Sequence, residues 1–125
     1  MLHHISVYVD DIDKAKAFYA AALKPLGYEV QMEFPEWKVV GMGEPGKPDF
    51  WLGTKEKAHN AHVAFAASDK GAVDAFYEAA VAAGGEDNGK PGYRKDYSPG
   101  YYGAFVHDPF GNNIDAVYMD PNPSE

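Results

Sequence analysis

The chain has no cysteine among its 125 residues, which excludes a disulfide framework and every thiolate metal site. It is short of positive charge: 11 Lys and Arg stand against 19 Asp and Glu, a formal net charge of −8, with no basic cluster. That balance disfavours a nucleic-acid backbone or an anionic membrane as partner. No apolar run approaches the roughly 18 residues of a membrane-crossing helix. The first residues, MLHHISVYVDDIDK, put no basic region ahead of an apolar stretch, so they do not read as a secretory signal, and a cytoplasmic protein is expected. A phosphate-cradling glycine loop and a nucleophile-elbow serine are both missing.

What is present is a repeat. HISVYVDDIDKAKAFYAAALKPLG, from His4, lies over HVAFAASDKGAVDAFYEAAVAAGG, from His62, without gaps. His4 falls on His62, Asp11 on Asp69, Phe18-Tyr19 on Phe76-Tyr77, and Gly27 on Gly85. Two copies are too few for a solenoid and point to two paired modules. Each copy opens as an apolar strand and turns into an amphipathic helix. Asp10 or Asp11 suits the first N-cap and Ser68 the second. Pro25 to Gly27 and Gly84-Gly85 mark the ends. Strand candidates separated by turn residues follow each helix: GYEVQMEF, WKVVGMG and PDFWLG in the first half, then a weak GGEDNG, YYGAFVHD and NNIDAVYM in the second. The expected fold is α+β, two βαβββ modules over residues 1–57 and 58–125 within one structural domain.

Asp115 is out of place in the run NNIDAVYM. Asp is a poor strand residue, and a buried carboxylate requires a partner. Aromatic residues are plentiful, with 9 Tyr, 7 Phe and 2 Trp. Trp37, Trp51, Tyr93, Tyr97, Tyr101 and Tyr102 fall on the strands and last long loop, where they suit the wall of a small-molecule pocket. The segment GKPGYRKDYSPGYYG shows no periodicity and reads as a lid. Its Arg94 stands out in an acidic chain and suits an anionic ligand.

The double β-α-β-β-β order, a His opening each half, AFY in each helix and DPFGNNID near the end resemble the vicinal oxygen chelate superfamily. That superfamily includes glyoxalase I, bleomycin- and fosfomycin-resistance proteins and extradiol dioxygenases. The resemblance covers nearly the whole chain, and is greatest to small glyoxalase-like proteins. It implies an open, curved, eight-stranded mixed sheet around a ligand concavity, and pairing into a homodimer. It also implies metal ligands from the first and last strand of each module. These positions carry over to His4, His62 and Asp115. Asp115 stands where the family usually has Glu, and the fourth position falls near Phe50 or Trp51, neither a ligand. Two His and one carboxylate suit a divalent metal such as Fe, Mn, Ni or Zn. Two functions follow. One is a glyoxalase- or dioxygenase-type protein handling a small oxygenated substrate with that metal. The other is a metal-free protein that binds an antibiotic-like small molecule. No residue is singled out as the acid or base.

Overall fold

The computed structural model describes residues 4–54 and 61–123. The expected module boundary at 57/58, and His3 and His59, lie outside the described residues. Strand β1 (Ile5–Val9) leads into helix α1 (Ile12–Leu23), which ends in a 3₁₀ turn over Lys24–Leu26. Strands β2 (Glu29–Phe34), β3 (Val39–Glu44) and β4 (Lys47–Thr54) complete the first module. The second module repeats the order: β5 (His62–Ala66), helix α2 (Lys70–Ala82), β6 (Glu86–Tyr93), β7 (Tyr101–His107) and β8 (Asn113–Met119). Among the described residues no helix is long and apolar enough to cross a membrane.

Helix ends follow from side-chain chemistry. Asp11 accepts a hydrogen bond from the Lys14 backbone N–H at 3.1 Å, and Asp69 accepts one from Ala72 at 2.7 Å. Each carboxylate thereby satisfies an amide that the first helical turn leaves without a partner. The second cap is Asp69 rather than Ser68. It is the repeat equivalent of Asp11, and its charge also suits the positive end of the helix dipole. Gly27, in the left-handed region at φ 85°, closes the turn after Pro25.

The eight strands hydrogen-bond as two four-stranded sheets, ordered β1-β4-β3-β2 and β5-β8-β7-β6. In each, the first strand runs parallel to the last, and the other neighbours are antiparallel. The two modules thus share one topology, as the repeat requires. Within strands, alternate residues are buried. Val7 and Val9 face inward on β1, and Val63 and Phe65 on β5, whereas His62, Ala64 and Ala66 are exposed.

The buried faces of both sheets converge on one core with the two helices. Phe65 of β5 packs against Phe50 of β4 at 5.2 Å between ring centroids and against Tyr28 at 5.4 Å; Phe50 in turn meets Tyr19 of α1 at 5.0 Å. The opposite faces of the two sheets therefore turn away from this shared core.

One polar cluster ties the modules together inside that core. Asp108, 4% exposed, follows β7 in the turn to β8. Its Oδ1 accepts from the backbone N–H groups of Phe110 and Asn112, both at 2.8 Å. Its Oδ2 accepts from the Asn112 amide at 2.7 Å and from the Tyr19 hydroxyl at 2.5 Å. Asn112 Oδ1 then accepts from the Ala61 N–H at 2.7 Å, which fixes the entry to β5. Burial holds the Tyr19 hydroxyl well above the usual tyrosine pKa, and the Asp108 charge adds to the effect. Tyr19 thus remains a donor at any physiological pH.

Removing the carboxylate strands several buried donors, whereas removing only the tyrosine hydroxyl strands none. Asp108→Ala is therefore expected to cost more than about 3 kcal/mol, and Tyr19→Phe about 2 kcal/mol. Urea unfolding midpoints at constant m-value check both figures and their order.

Candidate functional site

The outer face of the second sheet carries the most concentrated chemistry. On β8, Asp115 lies beside Ala64 of parallel β5 and opposite Phe105 of β7. Its side chain is 2% exposed, and Oδ2 lies 2.6 Å from Nε2 of His62, which is 61% exposed. The other carboxylate oxygen, Oδ1, is buried without a hydrogen-bond partner. Burial raises the Asp115 pKa, and the hydrogen bond and charge of His62 oppose that rise. A desolvated carboxylate with one oxygen on an exposed imidazole and one unmatched is a pair prepared to accept a further donor or cation.

The pair forms one wall of a cavity of about 370 Å³, within the range of small-molecule sites. Tyr101 and Phe105 of β7 form the next wall, Asn113 of β8 and Asn88 of β6 contribute amides, and Tyr97 overhangs from the β6–β7 loop. The Tyr97 ring meets Tyr101 edge-on at 5.1 Å and Phe105 at 6.4 Å. Burial raises the Tyr101 pKa, the nearby Asp115 charge adds to it, and Arg94 works against both. The Arg94 guanidinium lies over the Phe105 ring at 5.1 Å.

Tyr97 and Tyr101 are therefore gathered with His62 and Asp115, and Arg94 stands next to them over the Phe105 ring. Tyr102 is not: strand alternation turns it inward, where its hydroxyl donates to Asp74 of α2 at 2.7 Å. Burial and that carboxylate push its pKa up to about 12. Trp51 stands on the outer face of the first sheet, stacked so closely over Gly41 that a Cβ there would come within 2.7 Å of the indole. Trp37 projects from the β2–β3 turn, 69% exposed and stacked on Phe34 at 5.5 Å. His4 leads into β1 and is exposed. By alternation with Ile5, Val7 and Val9, which pack on the core, it belongs to the outer face of the first sheet.

Within one copy, the structure therefore brings together two of the three expected ligands. Among the described residues no group of three or more His, Cys, Asp or Glu side chains is placed to hold a metal ion. Asp49, beside the missing fourth position, falls where the β3–β4 register slips and accepts a hydrogen bond from Tyr28 at 3.0 Å.

The lid segment is more ordered than its composition implies. Strand β6 runs on to Tyr93, so KPGY belongs to the sheet and only residues 94–100 form the loop. Arg94 and Tyr101 share a backbone hydrogen bond of 2.7 Å across its base, and Tyr97 and Ser98 N–H groups both donate to the Arg94 carbonyl. Register shifts between Asp87 and Gly92 explain why β6 shows no period of two. The same irregularity conceals Asn88. Asn113 had a usable signal, since it pairs directly with His62 once β5 and β8 are placed side by side.

The sequence pattern of the Glyoxalase/Bleomycin resistance protein/Dioxygenase superfamily matches residues 1–116. Among solved structures, a glyoxalase/bleomycin resistance protein from Albidiferax ferrireducens superposes with a TM-score of 0.79 at 29% identity, over 96% of this chain and 97% of that one. A lactoylglutathione lyase from Agrobacterium tumefaciens superposes at 0.66 and 22% identity, over 94% and 92%. A family enzyme from Burkholderia phytofirmans does so at 0.69 and 20%, over 94% and 97%. The last two identities speak to the fold alone. No protein of curated function matches the sequence. Topology, repeat and matched span agree: the chain belongs to the Glyoxalase/Bleomycin resistance protein/Dioxygenase superfamily.

Proposed function

We propose that the protein handles a small oxygenated molecule in the cavity beside His62 and Asp115, and that this pair holds a divalent metal completed by His4 of a second copy. The observation that carries the reading is the His62–Asp115 contact at 2.6 Å beside a buried, unpartnered Asp115 Oδ1. One imidazole and one carboxylate are a donor set for Fe²⁺, Mn²⁺, Ni²⁺ or Zn²⁺. When bound, such an ion would supply Lewis-acid polarisation of adjacent substrate oxygens. The chain's own groups do the rest. Asp115 orients the His62 ring. Tyr97, Tyr101 and Phe105 receive the apolar body and displace water from it. The Asn88 and Asn113 amides offer donors and acceptors to the oxygenated end.

Two features of the fold support the second copy. His4 and His62 sit on outer faces that point away from one common core. Pairing of copies is the arrangement by which such faces would meet. Strands β1 and β5 are both sheet edges, and a partner would cover them. Trp51 on the His4-bearing face would then join the wall facing Tyr97 and Tyr101. Trp37 is also assigned to this ligand surface, at its rim, while Tyr102 supports it from behind through Asp74.

A metal-free reading draws on a different observation. His62 and Asp115 already satisfy one another in part, and among the described residues no third ligand joins them. In that case the aromatic walls bind an antibiotic-like molecule without catalysis.

Protein purified without chelator is expected to bind one equivalent of divalent metal per chain by elemental analysis and calorimetry. His4→Ala and His62→Ala should each abolish it. Failure of the wild type to take up Fe²⁺, Mn²⁺, Ni²⁺ or Zn²⁺, with ligand-induced thermal shifts indifferent to EDTA, would establish the metal-free reading instead. Sharing between copies has its own readout. Unfolding and refolding equal amounts of the two His variants together should restore about a quarter of the wild-type sites, because half the dimers then carry one intact site of two. Each variant alone should give none, and sedimentation should show a dimer.

A further inference from the structure

We propose that Arg94 selects a carboxylate-bearing ligand for the His62–Asp115 cavity. The proposal rests on reading that cavity as the ligand site, and it adds the chemical class of what enters.

The guanidinium is held in place by its surroundings. It lies over the Phe105 ring at 5.1 Å, and Nη2 donates to the Lys90 carbonyl at 2.5 Å. Two glycines make room for it. A Cβ at Gly89 would stand 3.2 Å from Nη2 and 2.5 Å from the Phe105 ring, and one at Gly92 would stand 3.1 Å from Nη1. Gly89 also adopts φ 153°, which side chains other than glycine rarely take. The arginine is therefore preorganised, with little rotamer entropy left to lose on binding.

Its charge is available. None of the ion pairs among the described residues involves Arg94, in a chain of net charge −8 that offers many carboxylates. Its hydrogen bond to the Lys90 carbonyl leaves most of its five N–H donors for a ligand. Phe105, the ring beneath it, is paired across the sheet with Asp115 and lines the cavity. A molecule seated against His62 thus lies beside two tyrosine rings and two amides, with the Arg94 guanidinium over the Phe105 ring of the same wall.

A planar guanidinium fork matches a carboxylate with two parallel hydrogen bonds. The favoured ligand is a small monoanionic carboxylate with an adjacent carbonyl or hydroxyl and a flat apolar body that lies against Tyr97 and Tyr101.

Phenylglyoxylate and its neutral isostere phenylglyoxylamide are suitable probes, titrated into the metal-loaded protein by calorimetry and amide NMR. Wild type is expected to bind the acid about 10- to 100-fold better than the amide. Arg94→Gln should reduce that ratio to near one while metal uptake stays at one equivalent. Arg94→Lys should restore only part of it, because an ammonium is a point charge and cannot fork. Acid and amide binding equally to wild type, a ratio unchanged in Arg94→Gln, or no binding of the acid at all would each overturn the proposal. An acid preference kept in Arg94→Gln but lost in His62→Ala would also overturn it, placing the carboxylate on the metal-binding pair and leaving the site reading intact. Shifts confined to residues away from Tyr101, Phe105 and Asn113 would overturn both.

Discussion

The Asp108 carboxylate sets the relative placement of everything else. It organises the β7–β8 turn through two backbone amides and Asn112, and through Tyr19 it holds that turn against the first module's helix. Asn112 carries the constraint on to Ala61 at the start of β5. A carboxylate this buried is tolerable because both of its oxygens are fully engaged. The consequence is geometric. With Tyr19 and the Asp108 turn locked together, the apolar faces of both sheets must share one core, and the faces bearing His4 and His62 must look outward.

Asp115 makes the contrast plain. It is as buried as Asp108, at 1% against 4%, but has one partner, and its Oδ1 has none. Two carboxylates in one small module thus have opposite hydrogen-bond economies. Asp108 is saturated by the chain and is structural. Asp115 is left incomplete at the wall of a cavity, where an unmet hydrogen-bonding demand has a use.

Much of this was readable from residue order. The gapless repeat, the Asp11 and Asp69 positions and the turn residues between strand candidates are local signals, and they gave the element order. Asp115 in an apolar strand was conspicuous because a charge there demands a partner, and His62 was the right one. The failures have physical causes too. Ser68 is a good cap in isolation, but the adjacent Asp69 adds charge to the same geometry. Strand β6 was seen only as a weak segment because its register slips twice past Gly89. Tyr102 and Tyr101 are neighbours in sequence and opposites in space, and placing them required the strand's phase. Above all, sequence placed two modules side by side but did not say which faces they share. His4 and His62 are equivalent in the repeat, and equivalence is satisfied whether the two outer faces meet within a chain or between chains.

That last distinction changes what kind of object the site is. If one chain carried His4, His62 and Asp115 together, affinity for a metal would be a property of the fold alone. On the proposed reading, in which His4 comes from a second copy, metal binding and pairing of copies would be linked equilibria, each strengthening the other by the same free energy. An Asp in the usual Glu position is then less of a handicap. A shorter carboxylate requires the strands to approach more closely, and an interface between two bodies can adjust its spacing where a packed core cannot. Arg94 lies outside this linkage, because its support comes wholly from its own module through Phe105, Lys90, Gly89 and Gly92. On that proposed reading, ligand selection would be built into one chain while metal binding would depend on two.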